Sequence, residues 1–167
     1  MIYEPEEDSF LFLSFLEYAN GRILDMGCGS GFLSVKCKEF GADVLSVDIN
    51  EEAVNHCKQL GLNAVHSDLF DNVNGKFDLI LFNPPYLPND PAEDEESKVV
   101  TTGGQSGSEV ITRFLRDANR FLKDGGKILI VVSSLTKDID FSGYHATLLK
   151  RKACFFEELR LYELKHD

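Results

Sequence analysis

The strongest constraint on the fold is a glycine turn at the end of a short apolar run. Residues 22–26 (RILDM) stop at Gly27-Cys28-Gly29-Ser30-Gly31, and GFLSVKCKEF (31–40) then takes helical spacing up to Gly41. A short apolar run closed by glycines and followed by a helix reads as a buried strand entering a crossover. Glycines at such a junction let the backbone approach a ligand closely and expose amides at a helix N-terminus.

The same alternation continues along the chain. A helix is expected over 8–19, with Asp8 or Ser9 as its cap. DVLSVD (43–48) reads as a strand, and Asn50 caps a helix that carries Glu51 and Glu52 in its first turn. NAVH (63–66) is a weak strand and FDLILF (77–82) a strong one. Ser108 is expected to cap a helix over 108–122, and 127–134 (KILIVVSS) to form another strand. The tail from His145 to Lys165 reads as two strands joined near Phe156–Glu158. Strands alternating with helices predict a mostly parallel α/β sheet with both faces covered, right-handed crossovers and a ligand site at the carboxyl ends of the strands. With 167 residues and no repeat or linker, one domain spanning 1–167 is expected.

Charge and composition remove several classes. Lys and Arg total 17 against 28 Asp and Glu, a formal charge of −11. That opposes phosphate-backbone binding, although a local basic patch can hide in an acidic total. No stretch approaches the roughly 20 apolar residues of a membrane span, and the acidic N-terminus is neither signal nor transit peptide. Cys28, Cys37, Cys57 and Cys154 form no C-x-x-C pair, so reduced thiols and a cytoplasmic location are expected. The four histidines have no zinc-like spacing, and no metal is expected.

Four motifs fall at strand ends. The turn lacks the dinucleotide G-x-G-x-x-G fingerprint, because position 32 is Phe32; it reads D-x-G-x-G-x-G, with Asp25 in front. Asp48 ends the second strand, 21 residues after Gly27, where an acid can accept hydrogen bonds from both hydroxyls of a ribose. Asp68-Leu69 follows the third strand. Asn83-Pro84-Pro85-Tyr86 follows the strongest strand directly. Two prolines fix φ and remove two donors, and Asn83 is restricted because it precedes a proline. Such a bracket presents the Asn83 side-chain oxygen and the Pro84 carbonyl as acceptors, which suits a planar NH2 group whose nitrogen must be oriented. Tyr86 can stack on the flat π system.

These residues resemble those of Rossmann-like class I methyltransferases that use S-adenosylmethionine (SAM). More narrowly, the chain resembles the HemK-type N5-glutamine methyltransferases, within an N-P-P-Y class that also holds adenine N6-methyltransferases. The resemblance implies a seven-stranded, mostly parallel sheet with an antiparallel C-terminal strand. It also implies that Asp25, Gly27 and Gly29 shape the methionine end of SAM, that Asp48 holds the ribose, and that Asp68 and Leu69 hold the adenine. Asn83 and Pro84 would orient the acceptor nitrogen, with Tyr86 beside it, and Asn83 would also contact SAM. Tyr3-Glu4-Pro5-Glu6-Glu7-Asp8-Ser9 resembles the start of the short eukaryotic and archaeal branch, where this segment closes over SAM and implicates Ser9.

The chain lacks the N-terminal helical domain of the family's bacterial members and any duplex-DNA recognition domain, as the short branch does. The resemblance therefore implies methylation of the glutamine in the Gly-Gly-Gln motif of a class I translation release factor. The competing readings are an adenine N6-methyltransferase acting on RNA or DNA, and a SAM-binding scaffold without chemistry. Gly103-Gly104-Gln105-Ser106-Gly107 matches a pocket-shaping segment of the branch; its own Gly-Gly-Gln is read as coincidence. The acidic run Glu93-Asp94-Glu95-Glu96 is expected to steer a basic release-factor surface. Between Ser134 and His145 there is no room for the crossover helix usual in the family, so a sheet face and the edge strand 63–66 should be open. The branch works with a small zinc-binding activator subunit, and such a partner is expected here.

Overall fold

The sheet grows outward from β1 (Arg22–Met26). The structure, a computed structural model, describes residues 2, 4–17, 19–86, 92, 98 and 101–167. In it β1 lies between β2 (Asp43–Asp48) and β4 (Phe77–Phe82), parallel to both. β3 (Asn63–His66) adds to β2 and β5 (Leu122–Ser133) adds to β4, again in parallel. β6 (Tyr144–Ala153) and β7 (Glu158–His166) form a hairpin, with β7 antiparallel to both β5 and β6. The order is β3-β2-β1-β4-β5-β7-β6, the seven-stranded, mostly parallel sheet expected. The order reverses between β1 and β4, and a crevice opens where the connections from their carboxyl ends diverge.

Strand period decides which residues meet which layer. Ile23, Val44, Leu79 and Leu81 face a layer built from α1 (Glu7–Leu11), α2 (Leu13–Leu16) and α3 (Phe32–Glu39), which buries Leu11, Phe12, Leu16, Leu33 and Cys37. α4 (Glu51–Gln59) packs Val54 and Cys57 with Ala64 of β3. Asn50 caps α4 by accepting the Glu52 N–H at 3.0 Å, as its sequence predicts. On the opposite face Leu24, Met26, Leu45, Val47, Ile80 and Phe82 meet Ile111, Phe114, Leu115 and Ala118 of α5 (Glu109–Ala118).

Three expected elements differ. The 8–19 helix is broken at Phe12 into α1 and α2, and helix begins at Glu7, so neither Asp8 nor Ser9 is the cap; both are buried instead. The 108–122 helix stops at Ala118, and one 3-10 turn (Asn119–Phe121) leads directly into β5. β5 starts at Leu122 rather than 127, because Leu122 pairs with Phe77 across a register shift that absorbs the glycine turn.

Residues 134–143 join β5 to β6 without a helix, as expected. The face is not left bare. Ile139, Phe141 and Tyr144 pack on the α5-side core, Phe141 lies 5.2 Å from the Tyr162 ring, and the Tyr144 hydroxyl donates to the Leu115 carbonyl at 2.8 Å. Among the described residues, no helix is long and apolar enough to cross a membrane.

Candidate active site

The glycine turn is held from beneath. Gly27 N–H and Cys28 N–H both donate to the Val47 carbonyl, at 2.7 and 2.9 Å, so the end of β1 is pinned to β2. Gly27, Gly29 and Gly31 all have positive φ. At Gly31 the reason is spatial as well. A Cβ there would sit 3.0 Å from both the Cys57 Sγ and a Leu62 methyl, so a side chain would push α4 away.

Two acids serve this turn differently. Asp48 ends β2 beside the turn, accepting the Gly29 N–H at 2.9 Å on one oxygen and the Asn50 N–H at 2.8 Å on the other. Burial raises its pKa above the ordinary carboxylate value, while the surrounding N–H groups oppose the rise. Asp25 is 2% exposed, and period two turns it to the opposite face from Leu24 and Met26. Its carboxylate accepts the Ser34 hydroxyl at 2.6 Å, and Ser34 lies 2.7 Å from the Ser46 hydroxyl. Burial pushes the Asp25 pKa up to about 6; the Ser34 bond works against the shift and the Asp48 charge adds to it.

A cavity of about 440 Å³ opens at the carboxyl ends of β1, β2 and β4. Gly27, Gly29, Asp48, Asp68, Leu69, Asn83, Pro84 and Tyr86 line it, so the structure gathers most of the sequence-predicted site on one wall. Asp25 and Ser9 are not on that wall. Asp25 anchors the first turn of α3 from behind it, and Ser9 stands behind Asn83, which directs its amide N–H toward the Ser9 hydroxyl at 3.5 Å. Asp68 is engaged by Arg113 of α5 at 2.8 Å, an ion pair at the rim. Leu69 takes the left-handed region at φ 48, rare for a branched side chain, which places it on the wall.

The Asn83–Tyr86 bracket is fixed from several sides. The Tyr86 hydroxyl donates to Asp8 at 2.9 Å, and the Tyr86 carbonyl accepts the Thr136 hydroxyl at 2.8 Å. Gly103 packs so close to the Pro85 carbonyl that a Cβ could not be added, which ties the glycine-rich segment to the bracket. Asn83 Oδ1 is buried and has no hydrogen-bond partner among the described residues. A buried carbonyl oxygen without a donor is costly, about 1–3 kcal/mol, and it marks where a ligand N–H would be welcome.

Sequence reasoning missed several wall residues. Asp8 joins the wall because α1 folds over the bracket, and Arg113 and Glu157 arrive from α5 and the β6–β7 turn. Asp8 had a signal, its place in the Glu4–Ser9 segment, and so did Glu6, which also lines the cavity. The acidic run 93–96 and Tyr3 lie outside the described residues.

The arrangement is a pocket lined by a glycine turn, an acid beside it and a rigid acceptor bracket next to them. Comparisons with known proteins give the family. The family model for the methyltransferase small domain matches residues 4–151. The putative protein N5-glutamine methyltransferase of Methanocaldococcus jannaschii is 38% identical, covering 95% of this chain and 88% of the relative. Mouse methyltransferase HEMK2 is 32% identical over 78% of this chain and 71% of its own. Among solved structures, E. cuniculi Mtq2 shares 26% identity and a TM-score of 0.81, with 99% of both chains covered; it was solved with Trm112 as a complex responsible for methylating the eRF1 translation termination factor. The chain belongs to the methyltransferase small-domain family, on its HemK-type glutamine methyltransferase side.

Proposed function

We propose that this chain is a SAM-dependent methyltransferase, one domain over residues 1–167, that methylates the side-chain amide nitrogen of the glutamine in the Gly-Gly-Gln motif of a class I release factor. The observation that carries the reading is Asn83 on the cavity wall, with a buried Oδ1 that has no hydrogen-bond partner among the described residues. An amide NH2 supplies the donor that this oxygen lacks.

When bound, SAM supplies an electrophilic methyl group. The chain's own residues bind and orient. Gly27 and Gly29 leave room for the ligand against the backbone, with Asp48 at the ribose and Asp68 and Leu69 at the adenine. Asp25 supports this wall from behind through Ser34. A glutamine amide nitrogen is a poor nucleophile because its lone pair is delocalised. Asn83 Oδ1 and the Pro84 carbonyl would hold its two hydrogens and fix the direction of the nitrogen, while Tyr86 would stack on the amide plane. Catalysis is then positioning by preorganised acceptors. Ser9, within 3.5 Å of the Asn83 amide nitrogen, takes the donor side of that amide and leaves Oδ1 as the free acceptor among the described residues.

The E. cuniculi relative works as a complex, and in this chain β3 is an edge strand of the sheet. We infer a small activator subunit, zinc-binding as the family resemblance implies, and a cytoplasmic setting in keeping with four free thiols. The test is transfer of labelled methyl from SAM to purified release factor, to its Gln→Ala variant and to RNA. Label in the first alone is expected; label in RNA overturns the reading.

A further inference from the structure

We propose that the tip of the β6–β7 hairpin is a docking anchor for the body of the methyl-acceptor protein. The proposal rests on the function inferred above and adds a specificity surface outside the cavity. Phe155 and Phe156 are 96% and 86% exposed, whereas the other large exposed hydrophobic side chains among the described residues reach only 54%. Their rings stand 5.3 Å apart, edge to face. Hairpin turns favour Gly, Asn and Asp, so two phenylalanines contribute nothing to the turn itself.

The tip is rigidly placed. Cys154 N–H donates to the Glu157 carbonyl at 2.8 Å and closes the turn. Ser134 N–H donates to the Glu158 carbonyl at 2.8 Å, Glu158 N–H donates to the Ser134 hydroxyl at 2.9 Å, and the Ser133 hydroxyl donates to the Glu157 carboxylate. Because β7 is antiparallel to β5, with Ser133 opposite Leu159, these bonds hold the tip at the carboxyl end of the sheet. Glu157, the residue after Phe156, lines the cavity.

A glutamine that enters the cavity therefore brings the surface around it against these rings. Ion pairs surround them, the exposed Lys152–Glu7 at 3.2 Å and the half-buried Arg160–Glu158 at 2.7 Å. An apolar aromatic centre with a polar surround is the layout of an interface hot spot. The occupant is an apolar hollow on the release factor beside its acceptor loop.

The test is a double variant, Phe155→Ser with Phe156→Ser. It should keep its thermal midpoint, because both side chains are in solvent. KM for whole release factor should rise about tenfold or more, with kcat little changed. Transfer to a short peptide holding only the acceptor glutamine and its immediate neighbours should change less than about twofold. Equal KM for variant and wild type overturns the anchor and leaves the proposed function standing. No transfer to release factor by wild type assayed together with an activator subunit overturns both. Loss of single-stranded RNA binding with an unchanged protein KM makes the tip a base-stacking platform and also overturns the proposal.

Discussion

β1 and β4 lie side by side, run the same way and end at the same cavity, yet they leave their polar groups in opposite states. At the β1 end the polar groups answer one another: Gly27 and Cys28 donate to Val47, Asp48 takes two backbone N–H groups, and Asp25 takes the Ser34 hydroxyl. At the β4 end Asn83 keeps a buried oxygen with no donor among the described residues. The first end is a finished frame, stable before any ligand arrives. The second holds an unfavourable group in place with two prolines and contacts from Ser9, Asp8 and Thr136. On the proposed function, binding and chemistry would thus be divided between neighbouring strands.

The sharpest way to break this contrast is Asn83→Ala. It should lower kcat by roughly 100-fold or more while leaving SAM affinity nearly unchanged. Because the oxygen it removes has no donor among the described residues, the thermal midpoint should hold or rise. Retained turnover would sink the assigned role.

Asp25 probes the frame through pH. Its carboxyl, ordinarily at 3.8, is pushed up to about 6 by burial. A carboxyl raised on folding favours the folded chain when protonated, so that contribution is complete below 3.8 and is lost as pH rises through 6. Between pH 7 and pH 4 the wild type should gain on the order of 2–3 kcal/mol relative to Asp25→Asn in urea unfolding. A pH-independent difference would place the titration elsewhere.

Gly31→Ala loads the same frame sterically. With φ at +80 and the Cys57 Sγ 3.0 Å away, it should cost about 1–3 kcal/mol in stability, seen by calorimetry. Tyr86→Phe loosens the bracket more gently by removing the 2.9 Å bond to Asp8. About a fivefold drop in kcat/KM is expected, with little change in SAM affinity. Arg113→Ala is the smallest test. It releases Asp68 from a half-exposed ion pair, so stability should move by less than about 1 kcal/mol, and SAM binding by isothermal titration should change little.

The frame was legible in the sequence and much of the bracket's support was not, for a physical reason. Strand runs, glycine stops and the Asn50 cap are local, so they appear where the sequence puts them. Ser9 and Asp8 read as helix caps because that is their local preference, but the fold uses them against Asn83 and Tyr86, more than 70 positions away. Glu157 reaches the cavity only because β7 turns back along β5, and no local pattern marks that. Asp25 shows the converse. Its motif suggested the pocket, while alternation with Leu24 and Met26 already turned it to the other face of the sheet.

The strand order also sets a timetable for synthesis. β1 gains β2 as soon as the first crossover is made, but its other edge waits for residues 77–82. A nascent chain that has released only β1, β2 and β3 exposes that central edge and owns half a cavity. Emergence of β4 closes the edge and supplies the bracket in one event. Protease sensitivity of chains stalled just before and just after β4 should therefore change as a single step.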